Sequence, residues 1–371
     1  MNTASSNDNG HILIIGGGII GMLTARELVL AGAGVTLVDQ QQTGQESSWA
    51  GGGIISPLYP WRYADSVTAL ATWSQASYKN LSEGLADSTG IDPEWTQNGL
   101  LIIAPGDTES AIQWGKVHKQ PLESISGEVI SQTEPAFAST ADSAIWMAGV
   151  AQIRNPRLAK ALRAEIVKLG VNIMEFTQAR RIIITQGKFT RLETNTGKLS
   201  ADALIVCAGA WTGELLRNQP NPPEITPVRG QMILFKTDPG VISRITLEED
   251  RYIIPRRDGR VLFGSTVEHT GFEKQTTQQA LEELREIAVS RFPVLSKYPV
   301  EKHWAGLRPG SPHGIPYIGR HPEVEGLYAN AGHFRNGVVL GPASAALMAD
   351  LLLDREAIVP PAPYAFDATR N

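Results

Sequence analysis

A glycine-rich segment near the start of the chain constrains the fold more than any other feature. Residues 11–39 read HILIIGGGIIGMLTARELVLAGAGVTLVD. The apolar run 11–15 predicts a buried strand, and the glycines that follow it open a helix that runs to Gly32. A second apolar strand, 35–38, ends at Asp39. A strand, a helix and a second strand in this order are typical of the βαβ unit that binds dinucleotides.

The glycines of this segment have separate roles in such a unit. Gly16 permits the tight turn from strand to helix, Gly18 lets backbone N–H groups approach a pyrophosphate, and Gly21 lets the helix lie close to the strand. The helix N-terminus adds unpaired N–H donors and a positive dipole. Asp39 follows Gly21 at close to the spacing of about 20 residues expected for a carboxylate that accepts from ribose hydroxyls. The combined pattern predicts a dinucleotide-binding domain.

Composition and charge narrow the class of protein. The chain has 371 residues, of which 42% are hydrophobic and 19% charged, so two well-packed subdomains are expected. A net charge of −5 without a long basic run argues against nucleic acid and anionic membrane surfaces as partners. The single cysteine, Cys207, excludes a disulfide and a thiolate metal cluster within one chain. Since the histidines also lack the spacing of a metal site, we expect no bound metal.

The first ten residues, MNTASSNDNG, lack the basic and apolar regions of a signal peptide. Arg26 and Glu27 interrupt the apolar stretch that comes nearest to the length of a membrane span. These two observations predict a cytoplasmic protein that does not enter a membrane.

The order of the later elements predicts a dinucleotide-binding domain assembled from separated pieces. Asn155 as N-cap and Pro156 as the first helical residue start a helix that ends at Gly170. The other pieces of this domain are strands within 171–184, a buried strand at 203–207 and a helix at 338–353. Between them lie antiparallel strands over 224–270, a hairpin turn at Asp258-Gly259 and an amphipathic helix over 276–292. We therefore predict an α/β, doubly wound domain alternating along the chain with an antiparallel-sheet (α+β) domain.

Five segments together resemble a known family. They are Gly16-x-Gly18-x-x-Gly21, the run SSWAGGG at 47–53, CAGAW at 207–211, GLRP at 306–309 and GHFRNG at 332–337. In this order and spacing they are similar to the FAD-dependent D-amino-acid oxidase superfamily, and within it to the bacterial glycine oxidases of the thiamine pathway. The resemblance covers nearly the whole chain.

The resemblance implies a glutathione-reductase-like FAD-binding domain and a separate substrate-binding domain. The expected FAD-binding domain is discontinuous and comprises residues 10–80, 146–222 and 304–360. The expected substrate-binding domain comprises residues 81–145 and 223–303, and residues 1–9 and 361–371 are expected to be tails. Relatives with covalent flavin attach it through a cysteine near the C-terminus, and this chain has none there, so we expect noncovalent FAD.

The resemblance also implies the residues that bind the cofactor. By themselves the small residues at 47–53 favour a flexible loop, and Cys207 within its strand is typical of a core residue. The implied cofactor contacts are Gly16, Gly18, Ile19, Ile20, Gly21, Asp39, Ser47, Ser48, Ala50, Gly51, Gly52, Gly53, Arg180, Ala208, Gly209, Trp211, Arg308, His333, Arg335, Asn336, Gly337 and Val338.

Three residues are expected to act on the substrate. Arg308 lies among glycine, proline and apolar residues, where a guanidinium needs an anionic partner. That partner is either a buried Asp or Glu or, as the resemblance implies, the carboxylate of the substrate. Tyr252 matches a tyrosine that donates to the same carboxylate, although a strand tyrosine is also an ordinary core residue. Arg335 matches an arginine beside the flavin, and the carbonyl of Gly332 or Arg335 is a candidate acceptor for the substrate amine.

The implied reaction is the oxidative deamination of glycine or of small D- or N-methyl amino acids. Its products are the 2-oxo acid, ammonia or an amine, and hydrogen peroxide. The partners are then a small amino acid and oxygen, with a dimer or tetramer of the chain as the expected homo-oligomer. Two alternatives stay open: an FAD-dependent D-amino-acid dehydrogenase that passes electrons to a quinone or protein, and a flavin-binding subunit without turnover. An NAD-linked dehydrogenase is disfavoured by the additional flavin-like segments.

Overall fold

The computed structural model describes residues 10–138 and 140–370. The predicted tail at 1–9 and residue 371 lie outside this part of the chain. The helices are α1 Ile19–Leu30, α2 Ser47–Ala50, α3 Asp65–Thr89, α4 Thr108–Val117, α5 Gly127–Thr133, α6 Asn155–Lys168, α7 Thr212–Leu216, α8 Gln278–Arg291 and α9 Gly337–Leu352.

The strands of the described residues form two large sheets and two small ones. In chain order they are β1 His11–Ile15, β2 Gly34–Val38, β3 Thr96–Gln97, β4 Leu100–Ile103, β5 Glu123–Ser126, β6 Ser143–Met147, β7 Ala151–Gln152, β8 Asn172–Met174, β9 Ala179–Thr185, β10 Lys188–Thr194, β11 Lys198–Leu199, β12 Ala203–Val206, β13 Thr226–Lys236, β14 Ile245–Glu248, β15 Arg251–Pro255, β16 Arg260–Gly264, β17 Val300–Gly310, β18 Tyr317–Arg320 and β19 Leu327–Ala331.

The first large sheet has the strand order β18-β19-β12-β1-β2-β8 and is parallel except for β18. Alternate side chains of β1 point to opposite faces, as in any strand. Ile12 and Ile14 pack into a core with α1, α3, α6 and α9, whereas Leu13 and Ile15 pack against strands β9 and β10. The predicted mixed α/β class is confirmed. Helices are the main elements packed on one face of this sheet, but not on the other. The antiparallel sheet β9–β11, with α7, covers the other face.

The second large sheet has the order β17-β13-β16-β15-β14-β4-β6-β5. Its neighbours are antiparallel except for β14 and β4, which are parallel. Ile233, Ile253 and Phe263 point to one face and pack with Leu284 of α8. Met232 and its neighbours on the other face point away from α8. The amphipathic helix predicted over 276–292 therefore covers one face of this sheet, and Met232 and Tyr252 lie on the other face.

Local predictions are mostly confirmed, with one error at a helix start. The hairpin at Asp258-Gly259 joins β15 to β16, and Gly259 has a φ of +85°. Helix α6 begins at Asn155 and is preceded by Arg154 as its cap, so the predicted N-cap at Asn155 is wrong by one residue. The Asn155 side chain is instead buried between Gly51 and Gly53, where an added Cβ would lie 2.7 and 2.6 Å from its amide atoms.

The division into two domains stays a prediction. Three elements run across its expected boundaries: α3 across 80/81, β6 across 145/146 and β17 across 303/304. Helix α3 packs on α9 and α6 over its length, and β17 pairs with β13 from Thr226 to Phe235. The boundaries of each domain depend on contacts between elements that are far apart in the chain. Changes in composition along the chain do not reveal these contacts.

Candidate active site

A cavity of about 810 Å³ lies between the two large sheets. That volume is within the range of sites that bury small organic ligands and cofactors. The carboxyl ends of β1, β2 and β12 form one side of it, and residues of β13, β15 and β17 form the other. The cavity is therefore at the edge of a parallel sheet where dinucleotides bind in α/β proteins.

Nearly all of the predicted site residues come together around this cavity. Gly21 and Asn336 do not line it. Gly21 lies at the contact between α1 and β1, and the Asn336 side chain is buried at 2% exposure. The predicted residues that do line the cavity are Gly16, Gly18, Ile19, Ile20, Asp39, Ser47, Ser48, Ala50, Gly51, Gly52, Gly53, Arg180, Ala208, Gly209, Trp211, Tyr252, Arg308, His333, Arg335, Gly337 and Val338.

The first glycine segment turns tightly at the end of β1. Gly16 has a φ of +105°, and an added Cβ there would lie 2.3 Å from the Cys207 carbonyl oxygen. One oxygen of Asp39 accepts the Gly17 N–H at 2.7 Å and the other accepts the Gln41 N–H at 2.8 Å. Burial raises the pKa of the Asp39 carboxyl above its ordinary value. Asp39 therefore orients the glycine turn as well as facing the cavity.

The second glycine segment, 47–53, is held in place by bonds to distant parts of the chain. Ser48 Oγ accepts the Ile19 N–H of α1 at 2.8 Å, which connects the two glycine segments directly. The Ile153 N–H donates to the Gly53 carbonyl at 2.8 Å. The segment is thus a fixed wall of the cavity, and the flexible-loop interpretation is wrong.

Arg256 is a residue of this wall that sequence reasoning missed. Its side chain is 8% exposed and donates to the Gly52 carbonyl at 2.7 Å and to Gln152 Oε1 at 2.5 Å. Burial lowers the pKa of this guanidinium to about 10. A signal was available in the sequence, because Arg256 follows the inward-facing Tyr252 at even spacing along β15. The adjacent Arg257 points outward and pairs with Asp92.

Strand β17 contacts the same wall. Trp304 Nε1 donates to the Ala50 carbonyl at 3.0 Å, and the Ser47 hydroxyl donates to the Leu307 carbonyl. An added Cβ at Gly306 would lie 2.6 Å from the Ala50 Cβ. The strand that carries Arg308 therefore also supports the second glycine segment.

The Arg308 guanidinium lies directly over Gly230 of β13. An added Cβ at Gly230 would lie 2.2 Å from both terminal nitrogens, so only glycine leaves room for this side chain. Arg308 donates to the carbonyls of Arg229 and Thr266 and to the Ser265 hydroxyl. Among the described residues it makes no ion pair with Asp or Glu within salt-bridge distance. The interpretation of Arg308 as a buried ion pair is thus not supported.

Arg335 adds a second positive charge at the cavity. Its Nη2 is buried and has no hydrogen-bond partner in the described parts of the chain. Burial is the main cause that lowers the pKa of Arg308, and the charge of Arg335 adds to it. Guanidinium groups remain charged in proteins, so two cations face one enclosed space. An anionic ligand would relieve this repulsion.

His333 lies beneath the cavity and is neutral. The side chain is 1% exposed, and its Nε2 is 3.0 Å from Ser344 Oγ at the buried face of α9. Burial lowers the pKa of the His333 imidazole to about 3. The ring therefore contributes no positive charge to the site near neutral pH. Cys207 also lines the cavity, and burial raises the pKa of its thiol to about 12, which leaves it protonated.

These residues fit FAD. An added Cβ at Gly18 would meet only Ser48 Oγ within 4 Å, at 3.0 Å, so the turn leaves a cradle on its cavity side. Such a cradle, at the N-terminus of a helix, suits a pyrophosphate. The cavity between the sheets, lined by Arg308 and Arg335, has room for the rest of the cofactor and a small anionic substrate.

The described residues hold neither a candidate metal site nor a candidate membrane span. No group of three or more His, Cys, Asp or Glu side chains there is placed to hold a metal ion. No helix in residues 10–138 or 140–370 combines the length and apolar character that crossing a membrane requires.

Comparison with known proteins places the chain among flavoenzymes. The profile of a family described as "FAD dependent oxidoreductase" matches residues 11–351. Two proteins named "Glycine oxidase", from Pseudomonas aeruginosa and Pseudomonas putida, are each 47% identical over 96% of this chain and 98% of their own length. The crystal structure of glycine oxidase from Geobacillus kaustophilus superposes with a TM-score of 0.91 at 25% identity, covering 98% of this chain and 99% of that chain.

The two glycines at the start of α1 should respond differently to the same substitution. Gly18→Val places a branched side chain in the cradle and meets only the Ser48 side chain, so the protein should fold and lose FAD. In Gly21→Val the new Cβ would lie 1.9 Å from the Gly16 carbonyl oxygen, so the fold itself should be destabilised. Flavin absorbance per protein and thermal melting separate the two effects. Wild-type FAD affinity in folded Gly18→Val would contradict the assignment.

Acid should destabilise the protein in part through His333. Its pKa in the folded state, about 3, is below the ordinary value of 6.5, so the folded state binds fewer protons and stability falls as pH drops below about 6.5. This corresponds to a loss of about 2 kcal/mol between pH 7 and pH 5. His333→Gln should remove that loss, as measured by urea unfolding at both pH values. His269→Gln, at an exposed position, is the control and should keep the wild-type pH dependence. An unchanged loss in His333→Gln would contradict this account.

Proposed function

Since the chain belongs to the family of FAD-dependent oxidoreductases that includes glycine oxidases, we propose that it catalyses the oxidative deamination of glycine and related small amino acids. Oxygen is the electron acceptor in this proposal. One observation carries the choice of substrate: Arg308 and Arg335 both line the cavity, and neither makes an ion pair with an acidic side chain among the described residues. A carboxylate of the substrate supplies the missing negative charge.

The substrate carboxylate binds Arg308 and Tyr252 in this proposal. Three hydrogen bonds occupy N–H groups at Nη1 and Nη2 of Arg308, which leaves its Nε–H and one Nη2–H for a ligand. Tyr252 is 8% exposed and lines the cavity. Together they fix one end of the amino acid, and so the direction of its Cα–H bond.

FAD supplies the oxidising chemistry when it is bound, by accepting a hydride from the substrate Cα. The two glycine segments hold its ADP part, with Asp39 at the ribose. Arg335 adds positive charge at the flavin end of the cavity. The Gly332 carbonyl already accepts the Ser311 hydroxyl at 2.5 Å, and its second lone pair is available to the substrate amine. The protein thus contributes orientation and electrostatics.

The other interpretations have weaker support. A flavin-binding subunit without turnover would not require three substrate-binding side chains, Arg308, Tyr252 and Arg335, around one cavity. Electron transfer to a quinone or protein acceptor is distinguished from oxidase activity by the assay below. Cytoplasmic location, assembly into a dimer or tetramer, and a role in supplying the thiamine pathway are further parts of the proposal.

The function is tested by incubating the purified yellow protein with glycine, sarcosine and D-alanine in air. We expect hydrogen peroxide and ammonia or methylamine in equal amounts, with glycine among the accepted substrates. Reduction of a dye without peroxide would indicate a dehydrogenase. Absence of turnover with every amino acid, by either readout, would refute the enzymatic proposal.

Arg308 provides the test of substrate recognition. Arg308→Lys keeps the charge and loses the bidentate geometry, and Arg308→Ala loses both. Because a charge-assisted pair contributes roughly 1.5–3 kcal/mol, kcat/KM for glycine should fall by about ten- to a hundredfold or more. FAD content and melting temperature should change little. Unfolding of Arg308→Ala, or unchanged turnover of glycine, would show that the residue is structural.

A further inference from the structure

Ser265 lies between the two residues that are expected to bind the substrate carboxylate. It directly follows β16 and its side chain is fully buried, at 0% exposure. Arg308 Nη2 donates to Ser265 Oγ at 2.6 Å, and the Tyr252 hydroxyl is 3.3 Å from the same oxygen. One hydroxyl therefore contacts both groups, although it does not itself line the cavity.

The hydrogen bonds around Arg308 determine the role of Ser265 as donor or acceptor. A guanidinium only donates hydrogen bonds, so the Ser265 oxygen is the acceptor of the bond from Arg308. The nearby carboxylate of Glu268 is engaged by Arg229, Gln231 at 2.9 Å and the Thr266 hydroxyl. Ser265 is thus the side-chain acceptor that orients the Nη2 edge of Arg308.

The same geometry gives Ser265 a second task. Its oxygen has two lone pairs, so it accepts from the Tyr252 hydroxyl as well as from Arg308. The two donors are therefore held at one atom on the side away from the cavity. When a carboxylate binds, the Tyr252 hydroxyl turns its proton from Ser265 to the ligand.

We propose that Ser265 is a positioning residue that connects Arg308 to Tyr252, so that both direct their N–H and O–H donors at one carboxylate. Arg308 and Tyr252 both donate to Ser265 Oγ, and the Tyr252 hydroxyl is redirected to the carboxylate when the ligand binds. This inference rests on the proposed function, in which the cavity binds an amino acid through its carboxylate. No bond to the substrate is made by Ser265 itself.

Acetate binding to the FAD-loaded protein tests this arrangement, because acetate has the carboxylate of the substrate and no amine to oxidise. Its dissociation constant is measured from the change in flavin absorbance. In Ser265→Ala the constant should rise by about tenfold, as for the loss of a hydrogen bond to a charged group. The KM for glycine should rise similarly while kcat stays within about twofold, since the carboxylate is bound equally before and during reaction.

Thr246→Val is a matched control. Thr246 lies in β14 of the same sheet, is 3% exposed, and its hydroxyl has no hydrogen-bond partner among the described residues. The substitution removes a buried hydroxyl away from the cavity, so it should leave acetate binding at the wild-type value. An effect equal to that of Ser265→Ala would assign the loss to general perturbation of the sheet and overturn the proposal.

A double-mutant comparison tests the connection between the two donors. In a Tyr252→Phe background the Ser265→Ala substitution should weaken acetate binding by less than in the wild type, because one of its two bonds is already absent. Equal fold-changes in both backgrounds would overturn the connection. So would loss of FAD or of cooperative unfolding in Ser265→Ala, which would make the hydroxyl a support of the fold.

Arg308→Ala separates this inference from the proposed function. Loss of acetate binding in Arg308→Ala together with wild-type binding in Ser265→Ala would overturn the role of Ser265 and leave the proposed function intact. Wild-type acetate binding in Arg308→Ala, or no binding by the unmodified protein, would overturn the proposed function itself.

Discussion

The close approach of three backbone segments at Gly16 and Gly21 is the constraint on which the rest of the structure depends. A side chain at Gly21 would meet the Gly16 carbonyl oxygen, and one at Gly16 would meet the Cys207 carbonyl oxygen. Without side chains, the start of α1 and the ends of β1 and β12 converge at one edge of the parallel sheet. That edge carries Asp39 and the turn after β12, so the place for a dinucleotide follows from the contact between backbones.

The second sheet provides the opposite side of the cavity through simple alternation. In β13 and β15, Ile233 and Ile253 belong to the core that includes α8, whereas Met232 and Tyr252 point to the other face and line the cavity. The cations at this face are held by carbonyls, amides and hydroxyls: Arg256 by Gly52, and Arg308 by Ser265 among others. Since these partners are neutral, the positive charge is not cancelled, and at a partly buried site it attracts an anion more strongly than it would in water.

The sequence predicted those parts of the fold that depend on local patterns. The first βαβ unit, the hairpin at Asp258-Gly259 and the helix over 276–292 each follow from a periodicity or a turn signal within a short window. Pairings between distant segments leave no such signal. Three features of the fold depend on such pairings. They are the parallel pairing of β14 with β4, the antiparallel sheet β9–β11 on one face of the first sheet, and the course of β17 across an expected domain boundary.

The same division applies to the site. Most of the expected cofactor residues line the cavity because they lie in motifs. Gly230 lies within β13, and Arg256 and Ser265 directly follow β15 and β16, so none of the three belongs to a motif. A glycine within a strand indicates that another group lies close to the backbone. At Gly230 that group is the Arg308 guanidinium, which belongs to another strand. Ser265 is informative only once Arg308 and Tyr252 are known to flank it. Such residues become recognisable through three-dimensional neighbours.

Strand β17 has a consequence for motion between the two sheets. Trp304 and Leu307 hold the second glycine segment, and Arg308 follows on the same strand. The separation between the wall of the cofactor site and the substrate arginine is therefore set by about 3.3 Å of extended backbone per residue. Bending of one sheet relative to the other would leave this separation unchanged. The distance between the second glycine segment and Arg308 is thus fixed by covalent geometry along one strand.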